Sequence, residues 1–122
     1  MQGKFADEEP EIQRIIIDAL LQNMDAEESE NWLNYLENHI SLPLHAKSRG
    51  LLNGMRKGTK VQIIKPTGVH PIVGIIVYCL KGKKQEEEEH PLLDFTIAKK
   101  ADKKLEMILD AYSAWGCKKA GH

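Results

Sequence analysis

The stretch KVQIIKPTGVHPIVGIIVYCL, residues 60–80, decides the fold class. Lys60 to Lys65 alternates polar and apolar in its first half, the two-residue period of a strand with one face covered. Pro66-Thr67-Gly68 predicts a turn, extended by Val69-His70-Pro71. Ile72 to Leu80 is an unbroken β-branched-rich run of nine residues, and it reads as a central buried strand. Lys81-Gly82-Lys83-Lys84 predicts a second turn leading into Gln85 to Leu93. Upstream, Leu44 to Ser48 reads as a further short strand, and Arg49 to Gly58 as a glycine-containing loop. Four to five short antiparallel strands at this spacing predict a small, strongly curved SH3-like barrel over residues 44–95.

Helices flank that β segment. Pro10 stands where a first-turn proline belongs, and Ile12, Ile15, Ile16, Ala19, Leu20 and Met24 follow a 3.6-residue period. Asp25 and Glu28 have capping-box spacing for a second helix, in which Trp32, Leu33, Leu36 and Ile40 share a face before Pro43 ends the helical part at about residue 41. A third helix over 100–116 carries Leu105, Ile108, Leu109, Tyr112 and Trp115, with Gly116 as its stop. The expected fold is therefore α+β, one domain over 1–122. Trp32, Leu36, Tyr112 and Trp115 should meet in a single core, because two apolar helix stripes need a common surface.

Charge is sorted by segment. Residues 1–44 hold ten Asp/Glu against two Lys/Arg, a net of −8, whereas 45–84 hold nine Lys/Arg and no acid, a net of +9. The remaining residues hold eight acids and six bases, which brings the whole chain to −1. Acids at the starts of the first two helices suit the positive ends of the helix dipoles. The basic block (Lys47, Arg49, Arg56, Lys57, Lys60, Lys65, Lys81, Lys83, Lys84) would suit a phosphate-gripping barrel, yet its one aromatic, Tyr78, falls on the strand expected to be buried. Nucleic-acid binding is therefore an alternative reading, as is a protein-interaction domain or homodimer formed through residues 10–24, where Ile17 and Leu21 lie outside the main apolar face.

Enzyme chemistry has little to draw on. The five histidines, at 39, 45, 70, 90 and 122, lack metal-site spacing and read as surface or turn residues. No phosphate-cradling glycine loop or nucleophile motif is present. Cys79 and Cys117 form no CxxC, and Cys79 reads as a buried free thiol, which suits a reducing cytoplasm. The stretch MQGKFADEE lacks the apolar region of a signal peptide, and no apolar run reaches the 18 residues of a membrane span. Asp25, Glu27 and Ser29 match the first three ligands of an EF-hand, but Glu30 replaces the obligatory glycine and Leu36 the bidentate acid. The EF-hand reading fails.

The densest chemical signal is Glu86-Glu87-Glu88-Glu89. On an extended chain Glu87 and Glu89 project to one side about 7 Å apart, and Asp94 would complete a set of hard oxygen donors suited to Ca²⁺. The plainer reading is a sheet edge guarded by repulsion, or pairing with Lys81, Lys83 and Lys84 across a hairpin.

Five landmarks in order carry a resemblance. They are Trp32-x-x-x-Leu36, Ser41-Leu42-Pro43-Leu44-His45-Ala46, Gly58-Thr59-Lys60-Val61, Pro91-Leu92-Leu93-Asp94-Phe95 and Ala111-Tyr112-Ser113-Ala114-Trp115. Together they resemble the CcbP-type calcium-binding family over roughly residues 30–116, leaving the helix at 10–24 outside. The resemblance implies a soluble protein that binds Ca²⁺ through surface carboxylates, without an EF-hand; with no catalytic motif in the sequence, no enzymatic activity is expected. It assigns Asp94 as the acid of a PLxDLE-like element. The second acid of that element is missing, since Thr96 follows Phe95, and Glu86, Glu87, Glu88 and Glu89 would supply the negative charge instead.

Overall fold

A computed structural model describes residues 10–23, 25–52, 54–98 and 103–119. The order of elements is α1 (Pro10–Leu20), α2 (Glu28–His39), β1 (Leu44–Ser48), β2 (Lys60–His70), β3 (Gly74–Lys81), β4 (Glu86–Pro91), a 3-10 turn (Leu92–Asp94), β5 (Phe95–Ile97) and α3 (Lys103–Lys119). The α+β expectation holds. All strand pairs are antiparallel, and the sheet runs β4-β3-β2-β1-β5.

The sheet is not closed, which corrects the barrel expectation: β4 and β5 are its two edges. β5 has only three residues, which pair with β1, and helices cover the inner face in place of further strands. Ala46, Ser48, Val61, Ile63, Ile75, Val77 and Cys79 are buried on that inner face. β3 therefore alternates buried and half-buried residues and is not enclosed on both faces. Tyr78 consequently lies on the outer face.

Three boundaries differ from the sequence reading for local reasons. Pro66 to His70 is strand, not turn; register shifts at Ile63/Lys65 and Pro66/Gly68 absorb the irregularity, and the turn falls at Pro71–Val73. β1 pairs with β2 only as far as Ile63, so Pro66 sits where one side of β2 is an edge, the kind of strand position at which a proline is tolerated. The Asp25–Glu28 capping box does not form. Glu27 caps α2 without a side-chain hydrogen bond, and the Asp25 N–H donates to Asn23 Oδ1 at 3.0 Å. Finally, α3 runs through Gly116. A Cβ there would lie 3.3 Å from Leu93 Cβ and Cδ2, so glycine serves close packing rather than helix termination.

The helices share one core with the sheet. Trp32, Leu36, Tyr112 and Trp115 are all buried in it, as expected. Trp32 meets Tyr112 edge-on at a centroid distance of 5.2 Å and Trp115 at 5.8 Å. α1 buries Ile12, Ile15, Ile16 and Ala19 against α3 and α2. Its end is held by Asn31 of α2, whose Nδ2 donates to the carbonyls of Leu20 (3.1 Å) and Asn23 (2.8 Å). The apolar face of α1 is thus used inside the fold; of the two residues expected outside that face, Ile17 is half-buried and Leu21 is 57% exposed.

Tyr112 joins α3 to the sheet. Its hydroxyl accepts the Ile75 N–H at 2.9 Å, and burial pushes the phenol well above its ordinary pKa. The approach depends on Gly74, which has φ +77° and no Cβ; an added Cβ would lie 2.6 Å from the Tyr112 hydroxyl. Gly74→Ala should lose at least about 1–3 kcal/mol through left-handed strain and the displaced hydroxyl. Urea unfolding is the measurement, and an unchanged midpoint would mean that Tyr112 does not close against β3.

Candidate functional site

The corner between β4 and β5 holds a buried polar cluster around Asp94, whose side chain is 0% exposed. Asp94 Oδ2 accepts from Ser48 Oγ at 3.1 Å and lies 2.8 Å from His90 Nε2, while Oδ1 accepts the Leu51 N–H at 2.8 Å. The Asp94 carbonyl in turn accepts the Arg49 N–H at 2.6 Å. Arg49 reaches past it, donating from Nε to the Phe95 carbonyl at 3.0 Å and from Nη2 to Asp110 at 2.6 Å. One acid thereby ties β1, the 49–58 loop and β4 together, with Arg49 extending the link to α3.

Backbone register sorts the glutamates. Glu89 lies opposite Tyr78, Glu88 opposite Cys79, Glu87 opposite Leu80 and Glu86 opposite Lys81. Directly opposed residues share a face. Glu87 and Glu89 therefore stand together on the outer face, with Glu86 and Glu88 on the other. Glu87 Oε1 accepts the Tyr78 hydroxyl at 2.6 Å, and that bond raises the tyrosine pKa. Glu88 pairs with Lys81 at 3.1 Å, a hydrogen bond and attraction that raise the lysine pKa. Among the described residues, the cross-hairpin pairing weighed from sequence forms between Lys81 and Glu88.

The structure thus separates the five residues singled out from sequence. Glu87 and Glu89 share the outer face, Glu86 and Glu88 lie on the opposite side of β4, and Asp94 is interior. Among the described residues, no three His, Cys, Asp or Glu side chains come close enough to hold a metal ion together. Sequence reasoning missed His90, which is 7% exposed rather than a surface histidine, and Ser48 and Arg49 as partners of Asp94. The usable signal was the i,i+4 relation of His90 and Asp94 across a proline, a spacing that carries no meaning until the 3-10 turn is known.

The Pro91–Phe95 corner, the buried Trp32 and the Tyr112/Trp115 pair occupy the positions on which the family resemblance rests. A family model described as calcium binding, that of CcbP, matches residues 12–116. The chain belongs to the CcbP calcium-binding family. The match starts within α1, so this helix is part of the CcbP region and not an addition outside it. No curated protein and no solved structure matches the chain significantly.

Both cysteines are free thiols, and burial pushes the Cys79 thiol up to about 11. No helix among the described residues is long and apolar enough to cross a membrane.

Proposed function

We propose that this protein binds Ca²⁺ non-enzymatically and without an EF-hand, through the carboxylates of Glu87 and Glu89 on the outer face of β4. Membership of the CcbP calcium-binding family carries the reading. Two adjacent carboxylates are hard oxygen donors of the kind Ca²⁺ accepts, and its irregular coordination tolerates a side-chain pair on a strand. With six to eight oxygens required, water would fill most positions, so the donor set fits a weakly held, largely hydrated ion. Glu86 and Glu88 add negative potential from behind. Asp94, with both oxygens engaged, holds the β4–β5 corner that presents the strand. Catalysis finds no footing in the buried cluster: Ser48 and His90 each bond to Asp94, and among the described residues no hydrogen bond joins serine to histidine. Free thiols at Cys79 and Cys117 suit a cytoplasmic protein.

Affinity should be low, with a dissociation constant of about 10⁻⁴–10⁻³ M, because among the described residues no third acid joins the pair to complete a cage. Calcium at ten times that constant should then stabilise the protein by only ~1.4 kcal/mol. Glu87→Gln with Glu89→Gln should abolish that gain and leave the fold intact. Thermal melts in Ca²⁺ and Mg²⁺ decide it. Equal shifts by both ions, or an unchanged response in the double variant, would reduce the effect to charge screening.

A further inference from the structure

The family function leaves the basic block unexplained, since nine positive charges repel a calcium ion. The topology gathers most of them at one end of the sheet, where β1 stops, β2 starts, β3 stops and β4 starts. Lys47 and Lys60 are direct cross-strand partners, two like charges side by side on the outer face, an arrangement that destabilises an isolated sheet. Backbone hydrogen bonds draw the rest around them. The Gly82 N–H donates to the Lys60 carbonyl, fixing the turn that carries Lys83 and Lys84, and the Thr59 N–H donates to the Arg56 carbonyl. Lys57 lies against Gly50, where an added Cβ would be 2.6 Å from Lys57 Cβ. Within the block, among the described residues, only Arg49 and Lys81 make ion pairs. Among the described residues Lys47, Arg56, Lys57, Lys60, Lys65, Lys83 and Lys84 form no ion pair, although Glu86 borders the hollow that Arg56, Lys83 and Lys84 line.

The surface between them is concave. Three hollows of about 390, 390 and 400 Å³ lie along this end, and each is bordered by two or more lysines or arginines. We infer that this end of the sheet docks the sugar-phosphate backbone of a nucleic acid, with Lys47, Lys57 and Lys60 at its centre. Charge complementarity supplies the attraction, and the like-charge Lys47–Lys60 pair is relieved when phosphates enter. Tyr78 is the aromatic of the outer face, and its hydroxyl is held by Glu87, so no stacking platform serves this end and recognition should be independent of sequence. An anionic membrane is the weaker fit. The exposed apolar side chains Val69 and Ile72 lie at the far hairpin, and among the described residues Leu51 is the one large exposed hydrophobic that borders the basic end.

The test is fluorescence anisotropy of a labelled DNA duplex of roughly 16 base pairs, in EDTA so that calcium plays no part. If about four phosphates are contacted, log affinity should fall with log salt at a slope of about −3.6, a loss of roughly 150-fold between 50 and 200 mM. Lys47→Gln with Lys57→Gln and Lys60→Gln should weaken that slope by about 2.7. An equal charge change elsewhere, Arg14→Gln with Lys103→Gln and Lys104→Gln, should leave it within about one unit of the parent. Melting curves check that both variants fold; should the triple variant not fold, Lys60→Gln alone should weaken the slope by about 0.9. Absence of binding at 50 mM salt would overturn the inference. So would equal losses in the two triple variants, or lysine-dependent binding to phosphatidylserine vesicles without binding to the duplex.

Discussion

Replacing Trp115 by alanine should lower the unfolding free energy by about 3–5 kcal/mol. The side chain is 1% exposed and packs its ring 5.8 Å from both Trp32 and Tyr112. Three large rings from two helices fill this part of the core, and alanine leaves a void that the neighbouring rings cannot collapse into without leaving their own contacts. The loss should be seen in urea as a lower midpoint with an unchanged slope. A change within about 0.5 kcal/mol would mean that α3 does not dock where its sequence periodicity places it.

Asp94→Ala should cost a similar amount, about 3–5 kcal/mol, for a different reason. The lost volume is small. The damage comes from Ser48 Oγ, His90 Nε2 and the Leu51 N–H, which all lose their acceptor at once, two of them on buried side chains. The contrast with the surface acids is sharp: Glu87→Gln and Glu89→Gln should leave stability in the absence of calcium within about 0.5 kcal/mol of the parent. If Asp94→Ala were equally mild and also abolished the calcium response, Asp94 would be a metal ligand and not the internal clamp its geometry describes.

Helix faces were the most legible part of the sequence. A helix with one buried stripe prints a 3.6-residue period, so Ile12, Ile15, Ile16, Trp32, Leu36, Ile108 and Tyr112 could be assigned to the core directly. Strand existence was legible as well. Strand limits were not, because Pro66 and Gly68 look like turn residues until one knows that this part of β2 lacks a neighbour on one side. That the sheet stays open also escaped the sequence, since whether β4 could reach β5 depends on long-range geometry that no local pattern encodes. For the candidate site, alternation predicted that Glu87 and Glu89 share a side. It could not predict that Asp94 turns inward, because a carboxylate is buried only when donors from distant segments meet it. Ser48 and Leu51, more than forty residues away, supply them.

The distribution of pairings along the chain also sets the order in which structure should form. β2, β3 and β4 follow one another as neighbours in the sheet and close short loops, from His70 against Gly74 outward. The Asp94 clamp joins residues 46 apart in sequence and needs β1, the 49–58 loop and the β4–β5 corner already in place. Loop closure of that length is entropically unfavourable until other contacts have reduced it. Contacts around Asp94 should therefore be absent from the folding transition state, with φ-values near zero, whereas the β2–β3 hairpin should show the higher values. The clamp would then act on lifetime rather than on speed of folding: removing it should leave the refolding rate almost unchanged and accelerate unfolding, placing nearly the whole loss on one arm of the chevron.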